Sequence, residues 1–304
     1  MNTPVSSEKK SSAAGILYTL SAFITWGLLP GYWKMLKSVP SDEIVFHRII
    51  WTFIVSFLLV LFTGRIRSFA EILKSRKLRI IVILSSMTIV SNWLIYVYAV
   101  NTGRIVEASL GYFINPLVNV FLGMVVLKER LKPVQMTAIL LAAAAVLYMA
   151  FDLGSFPWIA LSLAFSFGLY GLIKKMGNLD SIASLGAETL FLFPVAVSFV
   201  IFREYSGTGA MTVSSLNVVI LLAGTGIVSA VPLFWFAHGA KMISLSSVGF
   251  LQYVSPSIML LIGVIVYGES FTLTHKVSFS LIWFALILYT GSALIEKRRT
   301  GHPA

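Results

Sequence analysis

The residues able to do chemistry in this chain stand inside apolar runs, where each is costly. The stretch EASLGYFINPLVNVFLGMVVLKER, residues 107–130, carries Glu107, Asn115, Pro116 and Asn119 among side chains suited to lipid. Asn115 and Asn119 are four apart and share one helix face, with Gly111 a turn earlier and Tyr112 close by. A proline inside a span frees a backbone carbonyl, and an amide cannot face lipid cheaply. Both belong where a helix lines a cavity or packs on protein. The chemistry on offer is solute recognition by amides, phenols and indoles.

Other polar residues follow the same logic. Asn92 and Tyr96 share a face with each other, and Trp93 lies beside them. Pro232, Trp235 and His238 occupy a comparable later run, and Gln252 and Tyr253 precede Pro256. Aromatic rings and few charges suit an apolar or amphipathic solute, although Trp near a span end also suits an interfacial belt. Charged residues within spans each merit a functional hypothesis. Arg48 and Glu188 are expected to gate or couple. Separate snorkelling to the span ends is the alternative. Glu107 opens a helix, where a carboxylate complements the dipole; its other reading is a proton or cation site. His47 and His238 lie near span ends with no second ligand at metal spacing, so no metal is expected.

The elements that must position these residues are read from composition. Apolar residues make up 58% of 304, charged residues 12%, and the mean hydropathy is +0.90. A soluble domain carries about 25% charged residues. Apolar runs of bilayer length fall at about 13–34, 43–63, 80–100, 107–127, 134–151, 156–174, 182–202, 216–238, 246–267 and 276–295. The first run is expected to be a retained span. The net charge of +11 does not indicate nucleic acid, because the basic residues sit at span ends. Cysteine is absent, which excludes disulfides and thiolate chemistry.

Lys and Arg set the orientation. With the N-terminus inside, Lys9, Lys10, the basic segment GRIRSFAEILKSRKLR (64–79), Lys128, Arg130, Lys132, Lys174, Lys175, Lys241 and Lys297 to Arg299 are cytoplasmic. Only Lys34, Lys37, Arg104, Arg203 and Lys276 fall outside. This favours an even number of spans with both termini inside.

The chain also repeats. Setting Pro116 on Pro256 places Gly123 on Gly263, Val126 on Val266 and Glu129 on Glu269. LSAFITWGLLPGYWK (20–34) matches LSLAFSFGLYGLIKK (161–175). Setting Ser41 on Ser181 places Arg48 on Glu188, which suggests a charge pair across the pseudo-symmetry axis. Five spans per half is odd, so the halves enter the membrane from opposite sides, as in many secondary transporters. The expected fold is all-α integral membrane, ten transmembrane helices as two inverted five-helix repeats, N-in and C-in. Its parts are a tail (1–11), a first repeat (12–152), a second repeat (153–297) and a tail (298–304). Pro116 and Pro256 are expected to kink equivalent helices at a midplane substrate site. TAILLAAAAVLYMA (137–150) offers a small-residue surface for close packing or a dimer contact. GLLPG (27–31) is expected to serve packing more than hinging, and Glu129 and Glu269 to be structural.

EIVFHRIIW (43–51), NWLIYVYAVNTGRIVEASLGYFINPLVNVFLGMVVLKERL (92–131) and SSVGFLQYVSP (246–256) resemble the RarD-type members of the EamA family, in the drug/metabolite transporter superfamily. The resemblance covers about residues 12–297. It implies the ten-helix inverted-repeat fold in a bacterial inner membrane. It also implies transport of small metabolites, amino acids or drugs such as amphenicols without ATP. A cavity lined by spans 3, 4, 8 and 9 and a homodimer contact at spans 5 and 10 complete the implication. Substrate-binding candidates are Asn92, Trp93, Tyr96, Tyr112, Asn115, Asn119, Trp235, Gln252 and Tyr253. No phosphate loop is present, and no cofactor is expected. The competing reading is an integral-membrane enzyme acting on lipid-linked substrates. Asp42, Asp152 and Asp180 are scattered and form no acid pair, so the chain is not expected to be an enzyme.

Overall fold

The computed structural model describes residues 4–127, 133–152, 156–177, 179–239, 242 and 251–300, and every regular element among them is helical. In chain order these are α1 (Pro4–Met35), α2 (Ser41–Phe62), α3 (Ile66–Lys74), α4 (Arg76–Asn101), α5 (Ile105–Leu127) and α6 (Pro133–Asp152). The second half continues with α7 (Trp158–Gly177), α8 (Ser181–Tyr205), α9 (Ala210–Val213), α10 (Leu216–Gly239), α11 (Val254–Leu261) and α12 (Leu273–Thr300). A π-turn over Ile262–Val266 extends α11. Six helices, α1, α2, α4, α5, α8 and α10, contain apolar spans long enough to cross a membrane. Shorter apolar helices at Met136–Met149, Trp158–Lys174, Val254–Val266 and Leu273–Leu288 fall where the sequence places its other runs. The chain is a multi-pass membrane protein, all-helical among the described residues. Most of the first turns of the ninth run, and Glu129, lie outside the described residues.

Local sequence explains where helices stop. α2 and α8 each end one residue before a capping residue that is followed by a glycine at positive φ, Gly64 and Gly207, both at 68°. The basic connection 64–79 is more ordered than its composition suggests. It holds α3, whose Phe69 and Ile72 are buried, and α3 packs on α4 and α8. The three-residue spacing of Ile66, Phe69 and Ile72 gives that helix one apolar side.

The packing repeats between the two halves. α7 lies against α4 and α5, and α1 lies against α10 and α11. α2 packs on α10 as α8 packs on α4, while α2 with α8 and α6 with α12 form the self-paired contacts. Lipid tails are as apolar as Leu, so helices associate through close packing more than through apolar burial. Glycines mark the close approaches. A methyl group at Gly27 would lie 2.8 Å from Ile258, and one at Gly168 would lie 3.0 Å from Val118. The sequence repeat equates Gly27 with Gly168 and Val118 with Ile258, so one contact is built twice. The alanine stripe of α6 packs within the chain: Ala138, Ala142 and Ala145 are buried, and Ser278 of α12 donates to the Ala145 carbonyl at 3.2 Å.

Candidate functional site

The middle of the bundle holds a polar and aromatic group built from several helices. Arg48 of α2 is its only charge among the described residues, at 6% exposure. Its Nε donates to Ser229 Oγ of α10 at 2.8 Å. The guanidinium carbon lies 3.9 Å from the ring centroid of Trp93 on α4 and 5.0 Å from that of Trp33 on α1. The phenols of Tyr32, Tyr96 and Tyr112 lie within electrostatic reach. Nη1 is buried without a partner among the described residues. A desolvated cation–π contact is worth about 2 kcal/mol. Taking a charge out of water costs several kcal/mol. The rings alone therefore leave this cation under-compensated.

Asn92, Tyr96 and Tyr112 complete the group. Asn92 Nδ2 donates to the Leu163 carbonyl at 3.1 Å and to Ser166 Oγ at 3.0 Å, tying α4 to α7. Its Oδ1 accepts from the Tyr112 hydroxyl at 3.3 Å. Tyr96 and Tyr112 meet edge to face at 5.8 Å, and Tyr96 Oη reaches Met259 Sδ of α11 at 4.0 Å. The structure thus brings together Asn92, Trp93, Tyr96 and Tyr112, as the sequence suggests, and adds Arg48.

The Arg48–Glu188 pair is not formed. Glu188 of α8 is held elsewhere: Lys174 Nζ lies 2.8 Å from its Oε1, Ser85 donates to Oε1 at 2.9 Å, and Tyr170 donates to Oε2 at 3.2 Å. Ser86 donates to the Glu188 backbone carbonyl at 3.0 Å. The repeat equates Trp33 with Lys174 as well as Arg48 with Glu188. Equivalent positions therefore hold an arginine on an indole in one half and an ion pair in the other. Residues that the sequence repeat equates occupy separate places here and do not touch. Sequence reasoning missed Lys174, because it stands with Lys175 near a span end and reads as a solvated charge.

The remaining candidates are distributed differently. Gly111 abuts α7, where a methyl group would lie 2.6 Å from the Ala160 carbonyl, and Asn119 Oδ1 would lie 3.2 Å from a methyl group at Gly168. The face of α5 that carries Gly111, Asn115 and Asn119 is thus turned to α7. Asn115 is fully buried, and neither its Nδ2 nor its Oδ1 has a partner among the described residues. α5 continues through Pro116, and the Pro256 carbonyl accepts from Ser109 Oγ at 2.8 Å. Tyr253 stacks on Phe113 at 6.3 Å, on the side of α12, with Gln252 next to it. Trp235 makes no ring contact with the Arg48 group among the described residues; its neighbour Phe236 packs on Phe23 and Trp26 of α1. His238 packs on Tyr18 and Phe234.

Two carboxylates prove to be helix caps. Glu107 pairs with Arg104 at 2.6 Å and accepts from the Ile159 amide at 3.2 Å, at the start of α7. Glu269 accepts from the amides of Ile105 and Val106 at 2.9 and 2.8 Å, at the start of α5. Both complement the partial positive charge of a neighbouring helix.

The fold also brings carboxylate neighbours to His47, for which the sequence spacing predicts no second ligand. His47, Glu43 and Glu204 bring one donor atom each within 4.8 Å of one another. Glu43 stands four residues before His47, a signal available in the sequence. Glu43 already accepts from the Ala210 amide at 2.6 Å and from Arg203 at 3.3 Å. Glu204 accepts from the amides of Met211 and Thr212 at 2.8 and 2.9 Å. These bonds fasten the α8–α9 turn onto α2 and give the trio a structural role.

Residues 13–151 match the model of the EamA-like transporter family. The chain is 43% identical over 287 residues to "Uncharacterized transporter YojE" of Bacillus subtilis, covering 93% of this chain and 96% of that one. It is 39% identical over 292 residues to "Protein RarD" of Salmonella typhi, covering 96% and 99%. One solved crystal structure superimposes with a TM-score of 0.59 over 90% of this chain and 96% of the other, at 14% identity. That likeness concerns the fold alone.

Proposed function

Because this chain belongs to the EamA-like transporter family and is a membrane transporter, we propose that it moves small neutral, zwitterionic or amphipathic solutes by alternating access. The carrying observation is the buried Arg48–Asn92–Tyr96–Tyr112 group, to which α4, α5, α10 and α11 all contribute side chains. These four helices correspond to spans 3, 4, 8 and 9. Hydrogen-bonding groups gathered inside an apolar helical bundle suit a solute that sheds water to cross. The packing exchange between α1 and α7, with the doubled Gly27 and Gly168 contacts, supports two inverted five-helix repeats and ten spans.

In this reading both termini lie inside a bacterial inner membrane. Arg48 then occupies the outer half and the Lys174–Glu188 pair the inner half. Each would stabilise closure of its own side, and opening would require breaking its contacts. Glu188 is the carboxylate placed to couple protons, through release of Lys174. Glu107 is occupied as a cap. The outer faces of α6 and α12 are offered as the homodimer contact.

Uptake into proteoliposomes tests the proposal. Labelled amino acids and amphenicols are offered with and without a pH gradient to the wild type and to Asn92→Leu/Tyr112→Phe. Saturable uptake that the double variant loses is expected. Flux no greater than in empty liposomes for every solute, from folded protein, would sink this substrate set. An unchanged rate under a pH gradient would remove coupling at Glu188.

A further inference from the structure

The chemistry at Arg48 is incomplete, and its open part specifies a partner. Ser229 holds Nε, and the rings of Trp93 and Trp33 cover the guanidinium. Nη1 stays buried and unpartnered, and no described carboxylate lies within ion-pair distance of Arg48. The carboxylate that sequence alignment offers it, Glu188, is committed to Lys174, Ser85 and Tyr170. A guanidinium is a planar fork whose geometry matches a carboxylate. Tyr32, Tyr96 and Tyr112 share one packed cluster with Trp33 and Trp93, and their rings and hydroxyls suit an apolar body beside a polar head.

We propose that Arg48 anchors a carboxylate of the transported molecule, so that the substrate class is a monocarboxylate on an apolar or aromatic body. This deepens the transporter reading above and rests on it. One carboxylate neutralises one guanidinium. A phosphate dianion would need a second cation, and no other basic side chain joins this group among the described residues. A fully neutral solute would leave the arginine as it now stands, and so would gain nothing from it. Arg48 thus selects for charge, while the surrounding rings tolerate varied bodies.

The test uses Trp33 and Trp93 as reporters. Purified full-length protein is titrated with phenylacetate, with phenylacetamide and with inorganic phosphate, and tryptophan fluorescence is followed. Phenylacetate is expected to give a saturable change. Phenylacetamide and phosphate are expected to bind at least about tenfold more weakly, as befits loss of a charge-assisted hydrogen bond. Arg48→Gln should bind acid and amide alike, and Arg48→Lys should keep part of the preference. Thermal melting of both variants checks that they fold. The ratio of acid to amide binding is internal to each variant, so general loosening does not imitate the expected result. The proposal is overturned if the wild type binds amide as well as acid, if Arg48→Gln keeps the wild-type preference, or if neither probe binds. Saturable proteoliposome flux of uncharged solutes alongside any of these three results would leave the transporter reading standing and remove only the carboxylate anchor.

Discussion

The ammonium of Lys174 stands 2.8 Å from the Glu188 carboxylate, between α7 and α8, with Ser85 of α4 donating to the same oxygen. In the other half the equivalent meeting of α1 and α2 is Trp33 on Arg48, with Ser229 of α10 as the hydroxyl partner. The two halves share a frame and differ in charge. One buried cation, Lys174, is neutralised by Glu188, and the other, Arg48, is left open.

Removing one partner of the Lys174–Glu188 pair leaves a buried charge alone. Lys174→Met is expected to destabilise the protein by about 3–5 kcal/mol, seen as a lowered thermal midpoint in detergent. Lys174→Met/Glu188→Leu should recover much of that loss. Arg48 and Glu188 should be additive within about 0.5 kcal/mol in a double-mutant cycle, because they share no partner. A large coupling between Arg48 and Glu188 would contradict the arrangement described here.

Glu269 satisfies two free amides at the start of α5. Glu269→Ala is expected to cost about 0.5–2 kcal/mol, the range for loss of a helix cap. Thermal melting reads this directly, while the substrate affinity of the folded fraction stays near that of the wild type. An affinity loss without a stability loss would place Glu269 in the transport path.

Gly111 marks a close approach of α5 to α7. Gly111→Ala should cost about 1–3 kcal/mol through overpacking, because the obstacle is the Ala160 backbone. Gly31→Ala, with no atom within 4 Å of the added methyl, is the matched control and should be tolerated. Equal melting temperatures for the two variants would argue against the tight α5–α7 contact.

Asn115 presents a different balance. Its buried amide has no partner among the described residues, so Asn115→Leu should leave stability unchanged or raise it. Transport is expected to fall, because an amide kept unsatisfied in one state finds its partner in another. Uptake and melting measured on the same preparation separate the two effects. Normal uptake with raised stability would mean that the amide serves no transport step.

The apolar helices were legible in the sequence because hydropathy is local, and six of them are long enough to cross a membrane; the recurrence of Gly27 and Gly168, or Pro116 and Pro256, was legible from matched spacing. Asn92, Tyr96 and Tyr112 could also be singled out, since a polar side chain within an apolar run must avoid lipid. What a sequence leaves open is the rotation of each helix about its axis and the neighbour it meets. Asn115 and Asn119 share a face with Gly111, but only packing turned that face to α7. Arg48 and Ser229 are 181 residues apart, and no periodicity connects them. Glu188 was visible as a charge needing a partner, yet helix packing selected Lys174 over Arg48. The sequence by itself determined which residues must be hidden from lipid. Tertiary structure decided what each is hidden against, because a buried polar group is satisfied by whichever donor or acceptor the neighbouring helix brings within hydrogen-bond reach.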